Sequence, residues 1–312
     1  MGFRLGIDGG GTKTECALAD ETGVVLARVT AGPSNLVRVS EEVARAALGE
    51  AIAQVFHTAG VKPTKVDAVC AGLAGAGRAE VRERAERMLR ELVAAGEIFV
   101  VTDAEIALEA AAGRHAGVVL VAGTGSVAFG RDNQGREARA GGWGPVVSDE
   151  GSATDIGRRA VRAVLDARDG RGPETALTVR VLAALGVSRV EDLPIALQSE
   201  PFARLAALFP IVAEAAYAGD RVALEILEQA AEALVGLAGT VIHTLGLDSA
   251  SFRLAYTGGV FRGSTAIAGA VRVRLAKLAP EAQVSELDTP PAVGAIRLAE
   301  RLLLERAPGQ RR

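Results

Sequence analysis

Two short stretches rich in glycine and hydroxyl side chains are the parts of this 312-residue sequence best suited to chemistry. They are Gly9–Thr14, which reads GGGTKT, and Ala122–Ser126, which reads AGTGS. Glycine turns expose backbone N–H groups that bind phosphate oxygens, and the cation of Lys13 suits the same ligand. The carboxylate of Asp8, next to the first turn, suits a hydrated Mg²⁺ ion. The candidate phosphate ligands are Gly10, Gly11, Thr12, Lys13, Thr124 and Gly125.

Neither stretch matches a common nucleotide-binding motif. The P-loop pattern holds from Gly6 to Gly11, but Thr12 stands where that motif has lysine, and Thr14 replaces the third glycine of a dinucleotide fingerprint. Both motifs also require a helix next, whereas Glu15–Ala19 has the pattern of a strand. A single turn of this kind favours an ordinary hairpin with a solvated lysine. The second turn favours phosphate binding, because two such turns facing across a cleft clamp a triphosphate.

The two stretches belong to an internal repeat. A constant offset of 112 residues, which takes position 11 to position 123, aligns the two copies with no gap. Each copy reads as a strand, a glycine turn, a second strand and a polar turn that ends in glycine, which predicts a hairpin. The repeat therefore predicts two related halves of the molecule. The matched pairs are Gly11 and Gly123, Thr12 and Thr124, Thr14 and Ser126, Asp20 and Asp132, and Gly23 and Gly135.

Strand patterns alternate with helical patterns along the chain, which predicts a mixed, doubly wound α/β architecture. Because one hydrophobic core rarely serves 312 residues, the length predicts two domains. The first is expected over 1–114 and the second over 115–291, and the pattern leaves open whether a C-terminal helix at 292–306 packs back on the first domain. The other helices are expected at 40–60, 78–95, 104–112, 153–169, 174–185, 202–218 and 223–245.

Composition and charge exclude several classes of protein. The chain has 35 basic and 38 acidic side chains and a formal charge of −3, so no broad basic field for nucleic acid is expected. Two cysteines and three isolated histidines indicate neither a disulfide framework nor a zinc site. No signal peptide or bilayer-spanning apolar run is evident, which predicts a cytoplasmic protein without a membrane partner. The apolar helices at 202–218 and 223–245 are read either as core or as a homodimer interface.

Asp103 is the candidate acid–base residue. It follows the strand pattern Ile98–Val101, and α/β folds present active-site groups where strands end. A carboxylate there suits a reaction in which a hydroxyl loses its proton. Thr102 or Asp103 is equally suited to cap the helix that begins at Ala104, since Thr102 and Glu105 match a capping box. The two roles are compatible if Thr102 caps the helix and Asp103 performs the chemistry.

Three further residues have both a structural and a functional interpretation. Trp143, the only tryptophan, is read either as an aromatic packed between glycines or as an apolar wall for a ligand that approaches the backbone at Gly142. Asp149 precedes a helix pattern and is a candidate cap. Asn35 is equally suited to a turn and to ligand binding.

Together these motifs resemble those of the BadF/BadG/BcrA/BcrD ATPase group, which includes N-acetylglucosamine kinases, within the acetate and sugar kinase/Hsp70/actin superfamily. The GGWGPVVSDEGSA segment is the most specific. The resemblance implies a two-domain, actin-like ATPase (ribonuclease H-like) fold with mixed sheets and a nucleotide cleft between the domains. The matching segments are Gly6–Glu15, Val100–Ala104, Val121–Val127, Gly141–Ala153 and Tyr256–Phe261.

The resemblance also implies a function: an ATP-dependent kinase that uses Mg²⁺ and phosphorylates the 6-hydroxyl of an amino sugar or hexose, foremost N-acetylglucosamine or glucosamine. It assigns catalysis to Asp103, water-mediated Mg²⁺ binding to Asp8, and adenosine binding to Gly258 and Gly259, for which a plain left-handed turn is the structural interpretation. The sugar contacts it implies are Asn35, Thr124, Gly142, Trp143 and Asp149.

Two other functions share the phosphate loops. An ATPase activator of a dehydratase needs cysteine ligands for an iron–sulfur cluster, which that branch places in the second domain, whereas Cys16 and Cys70 lie in strand patterns of the first half. A sugar-responsive repressor of the related group needs a cysteine-rich zinc motif that this sequence lacks. The kinase is therefore the leading interpretation.

Overall fold

A computed structural model describes residues 2–306, and the chain divides into two compact units. The first unit contains residues 2–114 and 287–306, and the second contains residues 115–286. The chain therefore returns to the first unit at Leu287, ahead of the point at 292 that the sequence suggested.

Each unit contains one five-stranded sheet, and the two sheets have the same topology. The first has the order β3-β2-β1-β4-β5 and the second the order β8-β7-β6-β9-β10. In both, the first three strands form an antiparallel meander and the last two run parallel to the first. The strands are β1 (Arg4–Gly9), β2 (Thr14–Ala19), β3 (Val25–Ala31), β4 (Val66–Leu73), β5 (Ala95–Val101), β6 (Gly117–Ala122), β7 (Ser126–Arg131), β8 (Glu137–Gly141), β9 (Arg253–Thr257) and β10 (Gln283–Glu286).

Helices follow the strands in both units. They are α1 (Glu41–Thr58), α2 (Ala79–Leu92), α3 (Asp103–Ala112), α4 (Ala153–Arg168), α5 (Leu177–Leu185), α6 (Leu193–Ala196), α7 (Pro201–Ala207), α8 (Phe209–Tyr217), α9 (Arg221–Leu245), α10 (Gly259–Gly263), α11 (Thr265–Leu278) and α12 (Pro291–Arg306), with a short 3₁₀ turn at Val190–Asp192. Most predicted helices are confirmed to within a few residues at each end.

The predicted elements differ from the structure in three places. The helix expected at 78–95 ends at Leu92, because β5 already begins at Ala95. The helix expected at 202–218 is divided into α7 and α8 at Leu208, where Pro210 lacks the N–H that a continuous helix would need. The strands β8 and β10 and the helices α10 and α11 were not predicted. The two strands are short and largely polar sheet edges.

The C-terminal helix α12 belongs to the core of the first unit. A Cβ on Gly6 of β1 would lie 2.0 Å from the Ala292 carbonyl oxygen, and one on Gly294 would lie 2.1 Å from the Ile106 carbonyl oxygen. Only glycine allows backbones to approach this closely. An ion pair of 3.1 Å between Arg301 and the buried Glu109 also joins α12 to α3. The helix thus packs against β1 and α3, the two elements that hold Asp8 and Asp103.

The core of the second unit lies between its sheet and the helices α4, α8 and α9. Val212, Leu234 and Val241 are fully buried there, so the apolar faces of α8 and α9 are core rather than exposed surface. In the part of the chain that the structure describes, no single helix has the length and hydropathy to span a membrane. The segment α7–α8 and the helix α9 reach that length and hydropathy only when they are taken together, and the chain bends by 119° between them.

The repeat is confirmed in the polar turns that follow the second strands. The Asp20 carboxylate accepts hydrogen bonds from the N–H groups of residues 22 and 24, and the Asp132 carboxylate accepts them from residues 134 and 136. Gly23 and Gly135 end these turns with nearly equal positive φ angles of 84° and 81°. The same sequence pattern has therefore produced the same hydrogen-bonded turn twice.

Candidate active site

The first glycine turn is a rigid loop of four residues. Gly9 pairs with Thr14, and within the loop the Gly10 N–H donates to the Lys13 carbonyl at 2.9 Å. The Gly10 carbonyl in turn accepts from the N–H groups of Ser34 and Asn35, at 3.1 and 3.2 Å. These bonds hold the loop at the end of β1, and Thr12 and Lys13 are left exposed at its tip.

The Thr14 hydroxyl does not face a ligand. It is fully buried and lies 2.7 Å from both the Gly32 carbonyl and the Ser34 hydroxyl. Pairing in β2 directs this side chain into the unit, unlike the exposed Thr12 and Lys13. Its function is to hold the turn.

Asp8 and Asp103 lie at one edge of the first sheet. β1, β4 and β5 run parallel, so the carboxyl ends of these strands meet there, with Asp8 near the end of β1 and Asp103 just beyond the end of β5. Burial, together with the charges of Asp103 and Glu15, raises the pKa of Asp8 to about 7, against the opposing effect of Lys13. The edge therefore concentrates negative charge that a cation would relieve.

Thr102 is the cap of α3, and Asp103 is its first residue. The Thr102 hydroxyl accepts from the Glu105 N–H at 3.3 Å, and the Glu105 carboxylate accepts from the Thr102 N–H at 2.7 Å. The capping box is thus confirmed and does not use the Asp103 side chain, although Asp103 Oδ1 accepts from the Ala104 N–H at 3.0 Å. The structure assigns capping to Thr102.

Asn35 lies beside the first turn and is nearly buried, with 6% of its surface exposed. Its side-chain oxygen accepts from the Val37 N–H at 2.9 Å, which is the turn role that the sequence suggested. A Cβ on Gly75 would lie 3.7 Å from the same oxygen, so Asn35 also adjoins the loop that follows β4. Within residues 2–306 its amide nitrogen has no hydrogen-bond acceptor, which leaves that donor for a ligand.

The second glycine turn has one residue fewer than the first. Ala122 pairs with Ser126, and Gly123 donates to the Gly125 carbonyl at 2.8 Å, so three residues form the loop. The gapless alignment of the two copies is therefore wrong at this point: β6 is shifted by one residue relative to β1. The Ala153 N–H donates to the Gly123 carbonyl at 2.9 Å, which places the turn against the first residue of α4.

Asp149 packs directly against this second turn. It is 4% exposed, and a Cβ on Gly125 would lie 2.8 Å from its Oδ2 atom. Its φ of 69° is a strained value for a residue other than glycine, and such strain is concentrated at functional sites. The interpretation of Asp149 as a helix cap is wrong, because Ser152 caps α4 by accepting from the Asp155 N–H at 3.2 Å.

Trp143 is exposed, so the interpretation as a packed core aromatic is also wrong. Its side chain is 72% exposed, and the nearby Val146 and Val147 are 78% and 77% exposed. Gly142 has a φ of 71°, which turns the chain sharply before the indole. The Arg139 guanidinium lies 5.3 Å from the ring centroid and donates to the Gly142 carbonyl. The segment presents an apolar wall to solvent, held by its own backbone.

Gly258 lies against the second turn from the other side. A Cβ at this position would lie 2.1 Å from the Ala122 carbonyl oxygen, and its φ of 121° is open only to glycine. The alternative interpretation as a plain left-handed turn is therefore wrong: with a ψ of 171° the backbone is extended in the mirror-image sense. Gly259, the first residue of α10, follows with open space where a Cβ would point.

Sequence reasoning missed two hydroxyl groups that hold the turns. The Ser34 Oγ lies 2.4 Å from the position of a Cβ on Gly9, and the fully buried Thr154 donates to the Thr124 carbonyl at 2.6 Å. Each belongs to a segment distant in sequence from the turn that it supports. No local pattern points to such a contact, although Thr154 is in the first turn of a predicted helix.

Comparison with known proteins identifies the family of this chain. Residues 5–299 match the profile of the BadF/BadG/BcrA/BcrD ATPase family. The chain belongs to this family. A member from Clostridium acetobutylicum, an N-acetylmuramic acid/N-acetylglucosamine kinase, is 34% identical over 301 residues, which cover 96% of this chain and 98% of the relative.

Two other relatives are similar over nearly the whole chain. The N-acetyl-D-glucosamine kinase of Dictyostelium discoideum is 35% identical over 311 residues and covers 95% of this chain and 97% of its own. A solved structure from Chromobacterium violaceum that carries the name N-acetylglucosamine kinase has a TM-score of 0.77 and 27% identity, with 96% of this chain and 99% of that chain covered. The likeness confirms the predicted actin-like ATPase fold of this family member.

Proposed function

We propose that the chain is an ATP-dependent sugar kinase that transfers the γ-phosphoryl group of ATP to the 6-hydroxyl of an amino sugar or hexose, with N-acetylglucosamine or glucosamine as the preferred acceptor. The observation that carries the proposal is the placement of Asp103 and Asp8 beside the first glycine turn, at one edge of the first sheet. The activities of the relatives support the choice of acceptor. Because the reaction consumes ATP, we place it in the cytoplasm.

Asp103 accepts the proton of the acceptor hydroxyl. As that oxygen bonds to the γ-phosphorus, the bond from the γ-phosphorus to the bridging oxygen breaks, ADP leaves, and the proton passes to the Asp103 carboxylate. Thr102 already caps α3, so the Asp103 carboxylate is not required for that role. The capping of α3 is therefore compatible with the assignment of Asp103 as the base.

Both turns contribute to binding of the ATP phosphates. The backbone of Gly10 and Gly11, with Thr12 and Lys13, supplies donors and one cation in the first unit. In the second unit, Thr124 and Gly125 supply neutral donors beside the N-terminus of α4, where the helix dipole favours an anion. The adenosine lies on the bare backbone of Gly258 and Gly259.

A Mg²⁺ ion fits the acidic edge of the first unit. Among residues 2–306 no group of three His, Cys, Asp or Glu side chains is arranged to hold a metal. The protein would therefore supply Asp8 through water, and phosphate and water oxygens would complete the six ligands that Mg²⁺ prefers. Burial raises the pKa of Asp8, and repulsion from Asp103 and Glu15 adds to it; a cation at this place would favour the ionised carboxylate. When bound, the ion would neutralise phosphate charge.

Each unit contains polar groups that we assign to sugar binding. Asn35 offers its amide nitrogen, and Asp149 offers a buried carboxylate beside Gly125. Thr124 and the backbone at Gly142 add polar contacts, and the Trp143 indole forms an apolar wall. Such a mixture of polar groups and one aromatic face suits a sugar ring.

Asp103→Asn and Thr102→Ala separate catalysis from helix capping. We expect Asp103→Asn to retain ATP binding and to lower kcat with N-acetylglucosamine by about a thousandfold, because the general base is lost. Thr102→Ala should lower the free energy of unfolding by about 1 kcal/mol and leave kcat within about threefold. Coupled detection of ADP release measures turnover, and thermal denaturation measures stability.

Near-wild-type turnover of Asp103→Asn would falsify the assignment of the base. A panel of N-acetylglucosamine, glucosamine, glucose and N-acetylmuramic acid then defines the acceptor by kcat/KM. ATP hydrolysis that no sugar stimulates would contradict the kinase proposal itself.

The alternative of a dehydratase activator finds no supporting observation in the described residues. Cys16 and Cys70 are fully buried in β2 and β4. Burial raises the pKa of both thiols well above the ordinary value, which opposes the thiolate form that ligates a cluster.

A further inference from the structure

The segment after β3 places Arg38 beside the first glycine turn. Ser34 and Asn35 are bonded to the Gly10 carbonyl, and the Asn35 carbonyl accepts from the Arg38 N–H at 2.9 Å. This short chain of backbone hydrogen bonds fixes the position of Arg38 relative to the turn. Neither the repeat nor any motif in the sequence points to this residue.

The Arg38 side chain lies over the turn itself. A Cβ on Gly11 would lie 3.2 Å from Arg38 Cδ and 3.8 Å from both Nε and one terminal guanidinium nitrogen. The absence of a side chain at Gly11 is therefore what allows the arginine to lie against the backbone of the turn. The residue is exposed to solvent beside the turn.

The charge around the turn leaves a need for a second cation. Asp8, Glu15 and Asp103 are acidic, and Glu15 pairs with Lys13 at 3.9 Å and with Arg28 at 3.4 Å, which leaves Asp8 and Asp103 as further negative groups at this edge. A nucleotide triphosphate brings several more negative charges to this edge. A guanidinium is always protonated, and its planar set of donors binds phosphate oxygens in pairs, which a lysine does not do.

We propose that Arg38 is a phosphate-binding residue that contacts the terminal phosphates of ATP together with Lys13. The inference rests on the proposed function for its role in turnover, but nucleotide binding tests it without any sugar. Because Arg38 reaches the turn from outside the repeat, it gives the first turn a cation that the second turn lacks.

The experiment titrates the full chain, in the presence of Mg²⁺, with AMPPNP, ADP and adenosine in separate runs. Isothermal titration calorimetry measures the affinity for each ligand. We expect Arg38→Ala to weaken AMPPNP binding about tenfold, ADP binding less, and adenosine binding by less than twofold. Arg38→Gln keeps the polar side chain without the charge and should show the same order, whereas Arg38→Lys should restore part of the affinity. Arg87→Ala, an exposed arginine on α2, is the matched control and should change no affinity by more than twofold.

Three results would overturn the proposal. They are an unchanged affinity of Arg38→Ala for AMPPNP, an equal loss for adenosine, and an equal loss in the Arg87→Ala control, which would indicate general electrostatics. The two proposals fail separately. If Arg38→Ala selectively loses AMPPNP affinity but the wild type phosphorylates no sugar, the Arg38 proposal stands and the kinase proposal fails. If the wild type is an active kinase and Arg38→Ala binds AMPPNP normally, only the Arg38 proposal fails.

Discussion

The two units use one scaffold for two different electrostatic purposes. Both have a sheet with the same strand order, a glycine turn between the first two strands and an aspartate-bonded polar turn after the second. The first turn has four residues, one of them Lys13, and lies beside the carboxylates of Asp8 and Asp103. The second has three residues, carries no charge and lies against the N-terminus of α4.

The difference shows how a duplicated hairpin acquires distinct chemistry. With β6 shifted by one residue relative to β1, the strand position of Asp8 corresponds to Val121 in the second unit. The same place on the scaffold thus holds a carboxylate with a raised pKa in one unit and an apolar side chain in the other. We infer that acid–base and metal chemistry belong to the first unit, and that the second supplies a neutral backbone cradle.

Asp8→Asn should have the largest effect on this contrast, since it replaces the carboxylate at the end of β1 with a neutral side chain, as at Val121 in the second unit. We expect kcat to fall by at least about a hundredfold, because the amide cannot replace the charged carboxylate. The ligand-free protein should become more stable at pH 8, by up to about 4 kcal/mol, since the change removes a buried ionised group. Steady-state kinetics and thermal denaturation measure the two effects.

The pH dependence provides an internal control for Asp8→Asn. The pKa of Asp8 is raised from 3.8 to about 7 in the folded chain, so the folded state binds the proton more tightly than the unfolded state. Wild-type stability should therefore fall, relative to that of the variant, as the pH rises from about 4 to 7, and the difference should stay constant above that window. Parallel stability curves across this range would contradict the raised pKa.

Gly125→Ala should have an intermediate effect that is specific to the second turn. A Cβ there would lie 2.8 Å from Asp149 Oδ2 and must displace that carboxylate. Because we assign Asp149 to the sugar, we expect the KM for the sugar to rise about tenfold and the KM for ATP to change little. Gly123→Ala is the matched control, since nothing lies within 4 Å of a Cβ at that position. A rise in the KM for ATP alone would contradict the assignment of Asp149 to the sugar and would indicate that it contacts the nucleotide.

Asp20→Ala and Asp132→Ala should have the smallest effects, and both should act on stability alone. Hydrogen bonds from Thr22 lower the pKa of Asp20. Burial by itself would raise the pKa of Asp132, but hydrogen bonds from Arg136 outweigh this effect, so the pKa of Asp132 is also lowered. Each substitution should lower Tm by about 2–5 °C at pH 7, with the larger shift for Asp132, and each loss should shrink as the pH falls below 4. A change in kcat with either variant would show that these turns do more than hold the hairpins.

Local patterns in the sequence were sufficient for most of the elements. Thr102 caps α3 as predicted, because a cap needs only a polar side chain and the N–H groups that follow it. The split of α7 from α8 was missed even though Pro210 is visible, since the surrounding apolar periodicity continues through it. The edge strand β10 was missed because three of its four residues are exposed, and β8 because its alternating pattern extends over only five residues.

By itself, the sequence determined the family, the duplicated hairpin and the residues that are chemically able to bind phosphate and accept a proton. These properties depend on residue type and on spacing within a few positions. The tertiary structure alone decided that Thr14 points inward, that Trp143 is exposed and that Asp149 packs on Gly125. It also decided the pKa of Asp8 and the place of Arg38, because desolvation, strand register and contacts between distant segments arise only when the chain packs.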